Sequence, residues 1–384
     1  MNGRSMRSAY DAFSCADAFM KTSLLHCGSP LLLWALALFT GLRGDAQSTN
    51  LGVWCWPTPS PYGLNYIVGT NTLQNAAVAQ FKTWGIRHVY GFYGDQLKTG
   101  PGQAALAAWN TLLHDNGIES QLLISDYTLG PGDNNIIVQM INFNKGQPPP
   151  AQFKAVHLDL EPWGLPSWPT DDQYNDLVNL AAEYQQVRAE LDSNGQTNVL
   201  VYADLTVWLD SLTLINWPSS TVRNQWYSGI LTNLAGFTLM AYEQNTYSRI
   251  VNAVAWELWT RPGVVRIGLD TGAGMTWSNL NDFVSVASEL ESNFTGSVGV
   301  DIYDFMSLEQ VVPPVLEPGT APPLSASGFN LMLQGPIGSN YVIQASGDLF
   351  NWLVFTNFTS QSWLTYLTDF AATNSPYRFY RVTN

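Results

Sequence analysis

Residues 155–163 read Ala-Val-His-Leu-Asp-Leu-Glu-Pro-Trp. In an extended chain His157, Asp159 and Glu161 fall on one face, and Val156, Leu158 and Leu160 on the other. A file of ionisable groups on one side of an apolar strand is costly to bury without a partner or a task. Two carboxylates two residues apart on one face repel each other. The repulsion raises one pKa and keeps a proton available for acid catalysis. A neutral His157 could hydrogen-bond Asp159, and a cationic one would keep it ionised. Pro162 cannot continue a central strand, so the strand is expected to run over 155–161 and stop at the carboxylate.

Such a strand needs neighbours. Short β-branched runs recur at 52–56, 86–93, 121–125, 155–161, 198–203, 237–242, 264–269 and 297–303. Helical patterns lie between them, among them 73–84, 103–116, 171–194 and 280–293. Asp171 and Asp172 stand where a helix N-terminus favours acid, and Asn194-Gly195 reads as a helix stop. Eight strands separated by helices over about 260 residues match the rhythm of a (β/α)₈ barrel, here residues 51–310. A doubly wound open sheet would carry a glycine-rich loop after its first strand. Trp56-Pro57-Thr58-Pro59 stands there instead.

In such a barrel the C-terminal strand ends carry the chemistry. Here they read Tyr93-Gly94-Asp95, Ser125-Asp126-Tyr127, Asp159-Leu160-Glu161, Tyr202-Ala203-Asp204, Met240-Ala241-Tyr242-Glu243, Leu269-Asp270 and Asp301-Ile302-Tyr303-Asp304. Trp54, Trp56, Trp163, Trp208 and Trp277 lie at or just after strand ends, and about half are expected in a cleft. Acidic and aromatic groups together suit a sugar, because aromatic faces stack on pyranose rings and carboxylates act on the glycosidic oxygen. The candidate binding residues are Trp54, Trp56, Tyr93, Asp126, Trp163, Tyr202, Asp204, Asp270 and Tyr303. Met240 reads as core, His88 as a satisfied interior histidine and His114 as a solvated one.

The triplet His157-x-Asp159-x-Glu161, with Met240-x-Tyr242-Glu243 two strands on, resembles the family 18 glycoside hydrolases, the chitinase-like barrels. Their fourth strand carries Asp-x-Asp-x-Glu and their sixth Met-x-Tyr-Asp. The resemblance implies that Glu161 is the general acid. It implies that Asp159 orients a 2-acetamido group acting as internal nucleophile, and that Tyr242 hydrogen-bonds that group. His157 and Glu243 each replace an aspartate of the pattern, the Ser-x-Gly-Gly of strand three is absent, and Tyr303 stands for the tryptophan of strand eight. Leu160-Glu161-Pro162 also looks like the Asn-Glu-Pro of the large clan of retaining barrels. There Glu161 would be acid/base, with Asp270 or Glu243 as its partner. A carboxyl separation of about 5–5.5 Å marks a retaining pair and about 6.5–9.5 Å an inverting one.

The 384-residue chain carries a net charge of −14. Met20-Lys21, the apolar run 31–42 and the small residues Gly44 and Ala46 read as a secretory signal cleaved near Ala46, with 1–19 an over-extended start. A retained signal anchor is the alternative. Cleavage removes four basic and three acidic residues, so the charge becomes −15. An acidic surface excludes nucleic acid and anionic membranes as natural partners. Of three cysteines only Cys55 lies outside the leader, so no intramolecular disulfide is expected. Charged residues make up 12% and aromatics 13%, with fifteen tryptophans, as is common in secreted carbohydrate-active proteins. The four histidines, His26, His88, His114 and His157, show no metal-ligand spacing. No metal or cofactor is implied.

Residues 311–323 read as a proline-rich linker. Alternating runs at 329–333, 340–346, 353–359, 362–366 and 377–382 then read as a small β-sandwich-like module over 324–384. Its Tyr-Val-Ile-Gln-Ala-Ser-Gly-Asp-Leu-Phe-Asn-Trp and Arg-Phe-Tyr-Arg-Val resemble a module at the C-terminus of exported proteins of Verrucomicrobia-like bacteria. The sum is an exported monomeric barrel that cleaves a glycosidic bond in an oligo- or polysaccharide. The rivals are a lectin-like barrel, a structural surface protein, and a strand-four file that is only a buried polar network.

Overall fold

The computed structural model describes residues 50–384, apart from 61, 126–130, 169–172, 273–279, 295–297, 312–313, 320–323, 326–327, 336–337, 362–363, 375–376 and 384. The expected leader, Asp126, Asp171, Asp172 and Trp277 lie outside the described residues.

Eight strands form a closed parallel barrel in chain order: β1 (Leu51–Cys55), β2 (Ile86–Gly91), β3 (Glu119–Ser125), β4 (Ala155–Asp159), β5 (Leu200–Thr206), β6 (Gly236–Met240), β7 (Val265–Asp270) and β8 (Val298–Tyr303). β8 returns to β1 through Gly52↔Asp301 and Val53↔Ile302. Helices flank the strands: α1 (Leu64–Ile67), α2 (Asn71–Trp84), α3 (Gly94–Leu97), α4 (Gly100–Asp115), α5 (Pro131–Gly146), α6 (Gln173–Ser193), α7 (Ser220–Ile230), α8 (Tyr247–Thr260), α9 (Leu280–Asn293) and α10 (Phe305–Val311). The expected (β/α)₈ barrel is therefore the fold. Gly195 follows α6 in the left-handed conformation (φ 73°), as the Asn-Gly stop requires. Among the described residues no helix is long and apolar enough to cross a membrane.

Several strand ends differ from the sequence expectation, and two of them bear on the site. β4 ends at Asp159, two residues early; Glu161 (φ −107°, ψ 78°) instead leads into a 3₁₀ turn, Pro162–Gly164. Its neighbour β3 ends at Ser125, paired with Asp159, and Pro162 has no N–H with which to extend the ladder. β5 runs on past 203 to Thr206, taking Asp204 inside the strand. A carboxylate is tolerated there because His157 and Trp54 both bond it.

The apolar outward faces of the strands pack on the helices. Val53, Val89, Leu122, Val156, Val201, Leu239, Ile267 and Val300 are each at most 1% exposed. The inward faces are largely polar and aromatic, and glycines make room for them. A Cβ at Gly52 would overlap the Tyr90 hydroxyl and the Asp301 carboxylate, and one at Gly299 would overlap the Arg266 guanidinium.

The helical layer holds buried carboxyls, Glu257 among them. Glu257 of α8 is fully buried and accepts the Tyr227 hydroxyl of α7 at 3.1 Å. Burial, aided by the charge of Asp210, pushes its pKa from 4.5 to about 8. A raised carboxyl contributes stability that is complete below its unfolded pKa and is lost as pH rises through the folded one. The thermal midpoint is therefore expected to fall between about pH 4.5 and 8. Glu257→Gln should flatten that slope in a melting series; an unchanged slope would contradict the assignment.

The C-terminal residues form two antiparallel sheets. One contains β9 (Val315–Pro318), β10 (Leu324–Ser325), β11 (Gly328–Gln334) and β14 (Leu364–Asp369). The other orders β13 (Leu353–Thr359), β12 (Asn340–Ser346) and β15 (Phe379–Thr383). Their facing sides close over Leu333, Tyr341 and Ile343, with Leu316, Phe355, Leu367 and Val382 packed around. Part of the stretch read as linker is thus a strand: 315–318 pairs with β11 at the sheet edge, where Pro318 is tolerated.

Candidate functional site

Strand alternation places the inward side chains in tiers. The lowest tier is tied by Arg266 of β7, whose Nε and Nη2 reach Asp301 of β8 at 2.6–3.0 Å. The Tyr90 hydroxyl and the Thr238 hydroxyl donate to the same carboxylate at 2.8 and 2.9 Å. Arg266 holds Asp301 below the usual carboxylate range despite complete burial. Tyr202 lies at this end, part-buried, under the influence of Glu119 and Arg266. His88 is also at this end and only part-buried, with Asn50 at 2.8 Å and Glu119 at 3.8 Å.

The middle tier joins β1, β3, β4 and β5. Asp204 takes His157 Nε2 on Oδ1 at 2.7 Å and the Trp54 indole N–H on Oδ2 at 3.2 Å. His157 Nδ1 lies 3.3 Å from Gln121 Oε1. The imidazole stacks on Tyr90, with ring centroids 4.0 Å apart. The expected bond from His157 to Asp159 is therefore replaced by one to Asp204, which lies on the next strand two residues beyond the register partner Tyr202 and offers a buried acceptor to Nε2. Trp54, expected in the cleft, is 1% exposed and forms the floor beneath it.

The upper tier is the rim. Asp159 is 7% exposed, and its Oδ2 accepts the Ser125 hydroxyl at 3.2 Å. Its pKa is well raised, first by burial and then by the charges of Asp204 and Glu161. Glu161 is part-buried and accepts the Trp163 indole N–H on Oε2 at 3.1 Å. Burial raises its pKa, against the lowering effect of the bonds from Trp163 and Asp159. Each carboxyl thus acts on the protonation of the other, and Asp159 Oδ1 is buried with no hydrogen-bond partner, so one proton held between the two groups is favoured.

Aromatic rings complete the rim. Tyr242 and Tyr303, both part-buried, lie 4.7 Å apart above Trp54, at 6.2 and 6.0 Å from it. Trp56 packs at 6.2 Å from Tyr303. Trp163 stands over Glu161 and is braced by Trp168 and Trp208 at 6.2 and 5.7 Å. Burial is the main cause raising the hydroxyl pKa of Tyr303, to about 12, and of Tyr242 well above its usual value.

Asp159, Glu161, Tyr242, Tyr303, Trp56 and Trp163 share this rim, while His157, Asp204 and Trp54 lie beneath it. Others lie apart. Tyr93, expected at the cleft, is fully buried on the helix side, where its hydroxyl takes the Trp109 indole N–H at 2.9 Å. The extra turn after Gly91 points it outward. Glu243 is exposed in the turn after β6. Asp270 stays at the rim, opposite Tyr303 in the strand register, and accepts the Gly272 N–H of its own loop at 2.6 Å. Met240 is buried at the end of β6, and His114 is exposed. Sequence reasoning missed Arg266, Asp301, Tyr90, Thr238 and Gln121 as network members. An arginine and an aspartate inside two adjacent apolar strands were the available signal.

No family model matches the sequence, and no curated protein matches it. Solved structures similar to it include a Cellulomonas fimi endo-β-1,4-mannanase double mutant, at 8% identity and TM-score 0.43, covering 87% of this chain and 93% of that one. A D-psicose 3-epimerase of Clostridium cellulolyticum H10 is similar at 10% identity and TM-score 0.41, covering 67% and 85%. A chitinase of Aspergillus fumigatus is similar at 12% identity and TM-score 0.40, covering 67% and 91%.

Proposed function

We propose that the chain hydrolyses a glycosidic bond, with Glu161 as the acid that protonates the leaving oxygen. The observation that carries this reading is the pair of neighbouring carboxyls Asp159 and Glu161 at the C-terminal rim, both raised, with Glu161 part-buried and Asp159 buried. As the bond breaks, the single proton that the two carboxyls hold passes through Glu161 to the departing oxygen, which leaves both groups as carboxylates. The resulting Asp159 carboxylate faces the anomeric side, where it orients and polarises a 2-acetamido group that closes on the anomeric carbon. Tyr242 hydrogen-bonds that group, and Tyr303, Trp56 and Trp163 offer faces to the sugar rings.

A two-carboxylate retaining mechanism needs a free second carboxylate, and neither Glu243 nor Asp270 supports it as well. Glu243 is exposed, and Asp270 is engaged by its own loop. The substrate is accordingly a 2-acetamido oligo- or polysaccharide met outside the cell, with residues 1–46 serving export. A panel of aryl glycosides matched in leaving group tests this: those of N-acetylglucosamine oligomers should be cleaved and those of glucose or mannose should not. Cleavage of both would point to a nucleophile in the protein, and binding without cleavage to a lectin.

The pH profile follows from the pair. Activity needs the shared proton, so it is present at low pH and lost as pH rises through the raised pKa of Glu161. The Trp163 bond lowers that pKa. Trp163→Phe keeps a ring against Trp168 and Trp208 but deletes the donor, so the basic limb should move to higher pH. A limb that stays or moves to lower pH in kcat–pH measurements would remove Glu161 from the rate equation.

A further inference from the structure

His157 is the position where β4 departs from the pattern it resembles, and its surroundings fix how many protons it carries. The Gln121 amide donates from Nε2 to Glu119 Oε1 at 2.8 Å. A carboxylate only accepts, so the amide oxygen must face the other way, toward His157 Nδ1 at 3.3 Å. That oxygen also only accepts, so Nδ1 carries hydrogen. On the other side Nε2 meets Asp204 Oδ1 at 2.7 Å, while Asp204 Oδ2 already accepts from Trp54. The side chains of His157 and Asp204 are 1% and 0% exposed. The stacked Tyr90 ring places a π face against the imidazole, which favours a cation.

We propose that His157 is a doubly protonated imidazolium ion-paired to Asp204, and that Asp204 and Gln121 are positioning residues that turn it away from Asp159 and leave Asp159 to share its proton with Glu161. The catalytic consequence rests on the glycosidase reading; the ring-proton count does not. Other groups facing the pair come from every adjoining strand. Asp159 lies on the same strand, Glu119 behind Gln121, and Tyr90 against the ring. Tyr202 lies on the other flank, Tyr242 above Trp54, and Asp301 below, its charge already taken by Arg266.

The test is side-chain ¹⁵N NMR of the full chain labelled at histidine, with His26→Gln, His88→Gln and His114→Gln removing the other signals. At pH 8, where a free imidazole is mostly neutral, both ring nitrogens of His157 should lie in the protonated range. One bare nitrogen would overturn the proposal. Asp204→Asn keeps every hydrogen bond in a neutral arrangement: the amide donates to Nε2, its oxygen accepts from Trp54, and Nδ1 still donates to Gln121. In that variant one ring proton should be lost at pH 8. A ring that keeps both protons in Asp204→Asn would overturn the role of Asp204 in holding the imidazolium. The ring result with no cleavage by the wild type would uphold the imidazolium and sink the glycosidase reading.

Discussion

Glu161→Gln is expected to lower kcat on an oligosaccharide by about 10²- to 10⁴-fold while leaving the affinity for that substrate close to wild type. The amide keeps the shape and still accepts the Trp163 indole N–H on its oxygen. It cannot carry the transferable proton. The fold should not suffer, since Glu161 is only part-buried and lies outside β4. Steady-state kinetics beside a binding isotherm separate the two effects. Loss of binding in proportion to turnover would make Glu161 a contact residue and not an acid.

The largest effect on folding is expected from Asp301→Ala. This carboxylate, wholly enclosed in β8, accepts from the Arg266 guanidinium, the Tyr90 hydroxyl and the Thr238 hydroxyl. Removing it strands the Arg266 charge, whose side chain is only 15% exposed. Breaking a buried pair from one side costs about 3–5 kcal/mol, which for a chain of this size lowers the thermal midpoint by on the order of 10 °C. Calorimetry checks it. The double change Asp301→Leu with Arg266→Met should recover part of the loss, because no charge is then left unpaired. A single variant that melts like wild type would mean that the lower tier does not hold the barrel.

The barrel was legible because its outward faces obey a simple rule: Val53, Val156 and Val300, like Leu122 and Leu239, repeat the apolar pattern that a helix layer buries on every strand. The inward faces were less legible. Whether Asp204 lies within β5 or beyond it depends on Trp54 and His157, which lie 150 and 47 residues away in the chain. The partner of His157 was misjudged for the same reason. Residues two apart on one strand are obvious candidates for a bond, whereas the true acceptor comes from the neighbouring strand. Tyr93 shows the limit of reading a rim from strand ends, since one residue beyond β2 decides whether a ring faces the cleft or Trp109. Residues 315–318 were hidden by Pro318 and the prolines on either side, which suit the border of an edge strand as well as a linker. The pair Asp159–Glu161 was legible because both groups sit within three residues of the end of one strand.

The most direct measurement of the central claim is the leaving-group dependence of Glu161→Gln. An aglycone that departs as a stable anion needs no proton, whereas a sugar hydroxyl does. If Glu161 is the acid, the deficit of the variant should be greatest on the natural oligosaccharide and should shrink steadily across aryl glycosides of increasing phenol acidity. A deficit of the same size on every member of the series would contradict the account.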